Sequence, residues 1–157
     1  MLIQFQEYLT VGNIYLWINL GVLPFWLMII LIPGSKITQI FVNSIIIPLV
    51  LSSAYFYIIY QGIFLKESLF EILKLYLSLD NLYTVFATES FLLIFWIHFV
   101  GINLFLGSWI SRDAIKYNIS KKLVFIPMLL VFFTGLPGLL FYWFFRIFFA
   151  KKLGIHD

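Results

Sequence analysis

No cysteine occurs in these 157 residues. That excludes disulfides, thiolate nucleophiles, Cys-ligated zinc and iron–sulfur clusters, and with them any thiol-based quinone reductase. Charge is scarce as well. Asp, Glu, Lys and Arg make up 11% of the chain, against about a quarter in an ordinary soluble domain. So few charges cannot cover the surface that a folded chain of this size leaves in solvent. The net charge is only +3, and no basic stripe is interleaved with aromatics, so nucleic acid is not expected as a partner. The first ten residues carry Glu7 and no Lys or Arg. A secretory signal peptide would need a basic start, so the first apolar segment is expected to stay in the mature protein.

What is present is apolar. Hydrophobic residues reach 63% and aromatics 21%, with a mean hydropathy of +1.05. A bilayer core of about 30 Å needs about 20 apolar residues in helix. Four stretches meet that length: 11–32, 37–61, 91–110 and 123–145. The predicted architecture is therefore an all-α integral membrane four-helix bundle, with residues 1–157 as one domain. Between the second and third spans, Leu69, Ile72, Leu73, Tyr76, Leu77 and Leu79 alternate with Glu71, Lys74 and Asp80. That spacing predicts a short amphipathic helix lying in the interface. With four spans, residues before the first and after the last share one side. Lys66, Lys74, Arg146, Lys151 and Lys152 then oppose Lys36, Arg112, Lys116, Lys121 and Lys122. The count is tied, and the positive-inside rule gives no orientation.

Polar groups at membrane depth are costly and need a reason. His98 is the one ionisable group well inside a predicted span. It can act as an interhelical hydrogen-bonding group, as a proton carrier, or as a metal or haem ligand. A bis-histidine haem would need a second membrane histidine, and the other histidine, His156, is far from any span. At 100° per residue, Glu89, Trp96, Asn103 and Gly107 fall within about 40° of one line, with His98, Phe105, Trp109 and Arg112 on the opposite side. Pro24, Pro48, Pro127 and Pro137 interrupt three of the four spans, each freeing a carbonyl that must be satisfied inside the protein. Gly135-Leu136-Pro137-Gly138 predicts a bent fourth helix with a close backbone approach. Aromatic-lined grooves suit long, flat isoprenoid ligands.

Several runs carry a resemblance. Asn19-Leu20-Gly21-Val22-Leu23-Pro24-Phe25-Trp26 is one, and Trp96-Ile97-His98-Phe99 with Asn103-Leu104-Phe105, Gly107, Trp109-Ile110 and Arg112-Asp113 is another. Together with Pro48, Pro127, Gly135 and Pro137-Gly138, they resemble the abscisic-acid-deficient-4-like family over about residues 11–147. Plant plastid members of that family are required for making neoxanthin from violaxanthin, and bacterial and cyanobacterial members are mostly uncharacterised membrane proteins. The resemblance implies a multi-pass protein of a bacterial plasma membrane or thylakoid membrane. It further implies a cofactor-free isomerase acting on a carotenoid or other isoprenoid, opening an epoxide to an allenic alcohol. His98 and Glu89 would carry protons there. Trp96, Asn103, Arg112, Asp113, Asn19 and Trp26 would bind substrate, and no metal is implied. Asn103 stands where the plant pattern has an Asp. The alternative is a non-catalytic carotenoid- or lipid-binding or scaffolding module. Membrane lipid, a carotenoid or isoprenoid ligand, a second copy and a pigment-pathway protein are the partners either reading would take.

Overall fold

The computed structural model describes residues 9–60 and 77–150, and every regular element within them is helical. In chain order these are α1 Val11–Leu31, α2 Lys36–Phe41, α3 Ile46–Ile59, α4 Leu79–Phe86, α5 Glu89–Lys116, α6 Lys121–Thr134 and α7 Leu136–Ala150. Three stretches are long and apolar enough to cross a membrane: Val11–Leu31, Lys36–Ile59 taken through its bend, and Glu89–Lys116. Large apolar side chains stand at the surface, among them Phe105 at 62%, Phe133 at 69% and Leu140 at 73% exposure. In water such a surface would drive association, whereas lipid tails are as apolar as the side chains themselves.

The chain divides into two compact units, Met1–Leu20 with Pro48–His98 and Gly21–Ile47 with Phe99–Asp157. In the first unit, Ile14, Ile18, Ile58, Leu93, Ile94 and Ile97 are buried. The α4 helix starts on Ser78, whose hydroxyl accepts from the Asn81 N–H at 3.2 Å, satisfying one of the four orphan donors of a helix start. Phe86 packs edge-on against Phe91 and Phe95, at 5.3 and 5.0 Å between ring centroids. The amphipathic helix expected on the 69–80 pattern lies largely outside the described residues. What is described is the short helix α4, which begins where that pattern ends.

The second unit begins with the return from α1. Ser35 caps α2 and accepts from the Thr38 N–H at 3.1 Å, while the buried Thr38 hydroxyl donates to the Ile32 carbonyl at 2.8 Å. This closes the Pro33–Lys36 turn with its polar groups satisfied. The second predicted span is interrupted between α2 and α3. Pro48 cannot donate to the carbonyl four residues back, and proline is tolerated only in a helix's first turn. At the break, Ser44 accepts from the Ile46 N–H at 3.2 Å, and the Ser108 hydroxyl bonds to Asn43 Oδ1. The third span runs past its predicted limits, from Glu89 to Lys116. It ends in a Schellman turn, with Asn118 left-handed at φ 52° and Ile119 N–H bonded to the Ala114 carbonyl at 2.8 Å.

The predicted fourth span is not one helix, and here the four-helix expectation is corrected. Gly135 adopts φ 70°, ψ −108°, and the chain reverses there. Three residues enforce the reversal. Gly135 supplies the positive φ at no steric cost. Pro137 has no N–H with which to continue the α6 ladder, and it sits instead in the first turn of α7, where that donor is not needed. A Cβ on Gly138 would collide with the Val131 backbone nitrogen, so only glycine lets the two arms approach this closely. The α6 and α7 arms hold 14 and 15 residues, about 21–22 Å each, against about 30 Å of bilayer core.

Candidate functional site

A buried polar cluster of the second unit lies where α7 meets the last third of α5. Tyr142 and Arg146 are four residues apart and therefore share one face of α7. Both point at Asp113. The Tyr142 hydroxyl donates to Asp113 Oδ2 at 2.7 Å, and Arg146 Nε donates to the same oxygen at 2.8 Å. Arg146 is fully buried and the Asp113 side chain is 7% exposed. The guanidinium also lies 5.0 Å from the ring centroids of Tyr117 and Trp143, a range at which the ring faces attract a cation. Trp109 stacks on Trp143 at 5.5 Å with 8° between planes and meets Tyr142 edge-on. The arrangement neutralises a buried carboxylate with a buried cation and leaves both enclosed by aromatics.

Higher on α5, Asn103 is buried and its amide donates to the Phe132 carbonyl at 3.5 Å. A Cβ on Gly135 would stand 2.6 Å from Asn103 Oδ1, so Asn103 abuts the α6–α7 turn. Trp26 lies over Gly107, where a Cβ would come within 2.7 Å of its indole, and meets Phe132 edge-on at 5.3 Å.

A cavity of about 310 Å³ opens in the same unit between α1, α5 and α6. Ile29, Val124, Phe125 and Met128 form apolar wall, and Ser111, Asn118 and Lys121 add polar atoms. The Lys121 ammonium donates to the Leu31 carbonyl at 3.3 Å, and Ser111 donates to the Ile29 carbonyl at 3.5 Å. Small-molecule sites start at about this volume and have this character, apolar walls with a few polar groups.

In the first unit the structure joins two of the residues singled out in the sequence. The Trp96 indole N–H donates to Asn19 Oδ1 at 3.1 Å, Asn19 Nδ2 donates to the Tyr15 carbonyl at 2.7 Å, and the Tyr15 and Trp96 rings are 5.9 Å apart. Glu89 and His98 are both exposed. They stand nine positions apart on α5, about 13 Å along the axis and on opposite sides of the helix. In the second unit, Arg112 is exposed while its neighbour Asp113 is buried. The Arg112-Asp113 dipeptide is therefore not an ion pair with itself; Asp113's cation is Arg146. Among the described residues, no three His, Asp or Glu side chains group as a metal site.

Two members of this cluster, Arg146 and Tyr142, do not stand out in the sequence as site residues. In the sequence Arg146 enters only the tally of basic residues, and Tyr142 is one aromatic among many. The available signal is one acid and one base, Asp113 and Arg146, each bounding an apolar run, with an aromatic four residues before the base.

No curated protein matches this chain, and no solved structure does. The sequence pattern of the ABA DEFICIENT 4-like family matches residues 13–142. That range holds the Asn19–Trp96 pair, the Trp26–Gly107 contact, the reversal at Gly135, and Asp113 with Tyr142. With three helices long and apolar enough to cross a membrane, this chain is a membrane protein of the ABA DEFICIENT 4-like family.

Proposed function

We propose that the protein is a non-catalytic membrane module that holds an isoprenoid of the carotenoid class, with one polar end group seated in the cavity between α1, α5 and α6. The observation that carries this reading is the cavity itself: apolar walls of Ile29, Val124, Phe125 and Met128, with Ser111, Asn118 and Lys121 adding polar atoms. Its volume of about 310 Å³ suits a ring-sized end rather than a whole polyene, whose length would run along the exposed aromatics. The family supports the ligand class, since the resemblance is to proteins needed for a xanthophyll conversion.

The isomerase reading asks more of the residues. Protonating an epoxide oxygen while removing a vinylic proton needs an acid and a base within hydrogen-bond reach of one reacting group. Glu89 and His98, about 13 Å apart along α5 and on opposite faces, meet that need poorly. The buried Asp113 is already engaged by Tyr142 and Arg146.

The test is co-expression with a violaxanthin-producing pathway. The absorption spectrum of the purified protein is recorded, and the total pigment is resolved by chromatography. The reading expects carotenoid bands on the protein, no allenic product, and bands weakened by Ile115→Trp, at a residue that lines the cavity, but retained in His98→Ala. An allenic product that disappears in His98→Ala would establish the isomerase instead. A colourless protein would remove the ligand class.

A further inference from the structure

We propose that α6 and α7 form a re-entrant hairpin that enters and leaves the membrane through one face, and that this face is the cytoplasmic one. The contacts along α5 fix the direction of each arm. Asn103 abuts the turn at Gly135, Trp109 meets Tyr142 and Trp143, and Asp113 binds Tyr142 and Arg146. As α5 runs from 103 to 113, α7 runs beside it from 135 to 146 in the same direction. The α6 arm runs the other way. Its later part, at Phe132, meets Asn103, and its earlier part, at Val124 and Met128, shares the cavity with Ser111, Ala114 and Ile115.

Depth follows from α5. Asn103 lies near the middle of the 28-residue helix Glu89–Lys116, so the turn beside it reaches about the midplane of a membrane that α5 crosses. Each arm is too short to cross alone. Irregular backbone at that depth is tolerated only when protein satisfies it. At this turn Gly135 N–H bonds the Val131 carbonyl at 3.0 Å, Thr134 donates to the Leu130 carbonyl at 2.7 Å, and Asn103 reaches the Phe132 carbonyl.

This topology breaks the tie in basic residues. The Pro33 turn, the end of α5, the start of α6 and the end of α7 share one face, because Pro33 and Lys121 line one cavity and Arg146 reaches Asp113. Every Lys and Arg among the described residues belongs to that face: Lys36, Arg112, Lys116, Lys121, Lys122 and Arg146. Lys66, Lys74, Lys151 and Lys152 lie outside the described residues. With all six of the described basic residues on this face, the positive-inside rule assigns it to the cytoplasm.

The absence of cysteine makes the test clean. Single cysteines replace Lys36, Lys122, Lys151 and the exposed Tyr83 in the full chain, and intact bacterial cells receive a membrane-impermeant maleimide. Tyr83→Cys is expected to label in intact cells. Lys36→Cys, Lys122→Cys and Lys151→Cys are expected to label only after permeabilisation. Labelling of Lys151→Cys together with Tyr83→Cys, while Lys122→Cys stays protected, would mean that α6 and α7 cross the membrane and would overturn the hairpin. Labelling of Lys36→Cys and Lys122→Cys from outside would overturn the orientation.

Discussion

Replacing Asp113 with alanine tests how much stability rests on a single buried carboxylate. Asp113 Oδ2 accepts two hydrogen bonds, from Tyr142 at 2.7 Å and Arg146 at 2.8 Å, and Arg146 has no solvent exposure. Removing the carboxylate strands a buried guanidinium, for which the usual loss is about 3–5 kcal/mol. For a chain of this size that corresponds to roughly 6–20 °C in Tm. The ring faces of Tyr117 and Trp143 offset a part of this, at about 0.5–2 kcal/mol each for a desolvated cation. The same electrostatics carries a second consequence. Converting the whole group to apolar residues, Asp113→Leu with Arg146→Met and Tyr142→Phe, should recover most of the loss, because a buried ion pair and a well-packed apolar cluster are often close in free energy. The assay is thermal unfolding in mild detergent, followed by tryptophan emission. A loss below about 1 kcal/mol in Asp113→Ala would class the pair with exposed ion pairs and refute its role as the lock between α5 and α7. A triple variant no better than Asp113→Ala would refute the electrostatic explanation.

Other outcomes follow from the packing. Gly107→Ala should cost about 1–3 kcal/mol by pushing the Trp26 indole aside, and Trp26→Phe in the same chain should restore part of it; equal unfolding midpoints would contradict the contact. Gly138→Ala should be worse than Gly135→Ala. The first collides with the Val131 backbone, which cannot yield, whereas the second meets a side-chain oxygen of Asn103 and adds a backbone strain of about 1–3 kcal/mol at φ 70°, ψ −108°; comparing the two midpoints checks the order. A double-mutant cycle of Asn19→Ala and Trp96→Phe should give a coupling of about 0.6–1.7 kcal/mol, the range for hydrogen bonds between membrane helices, and a coupling near zero would dissolve the pair. His98→Ala, at an exposed position, should change stability by no more than about 0.5 kcal/mol, read by the same unfolding assay.

The membrane class and the first three spans are legible in the sequence because they depend on runs of apolar residues, which a sequence states directly. Val11–Leu31 matches its expected limits within a residue. The fourth span is not legible, because a run of apolar residues reads the same whether it crosses or folds back. Only Gly135-Leu136-Pro137-Gly138 carries the difference. A single proline bends a helix, whereas Gly135 at positive φ followed by Gly138 against the Val131 backbone reverses it. Asp113 stands out in the sequence, but its cation does not. Adjacency suggests Arg112, yet helix geometry sends neighbours about 100° apart, leaving Arg112 outside and Asp113 facing α7. Trp96 and Asn19 both lie within the range the family matches, and their hydrogen bond, across 77 positions, is a tertiary fact no local spacing encodes.

The fold-back of α7 onto α6 underlies both the lock at Asp113 and the assignment of sides, and one distance tests it. Nitroxides on cysteines replacing Lys122 and Ile147, both exposed in a chain without cysteine, report that distance by pulsed electron spin resonance. Packed helix axes lie about 8–10 Å apart, so a fold-back predicts a label separation below about 25 Å. A continuous helix through Gly135 would hold the two positions about 38 Å apart, and a distribution centred there would contradict it.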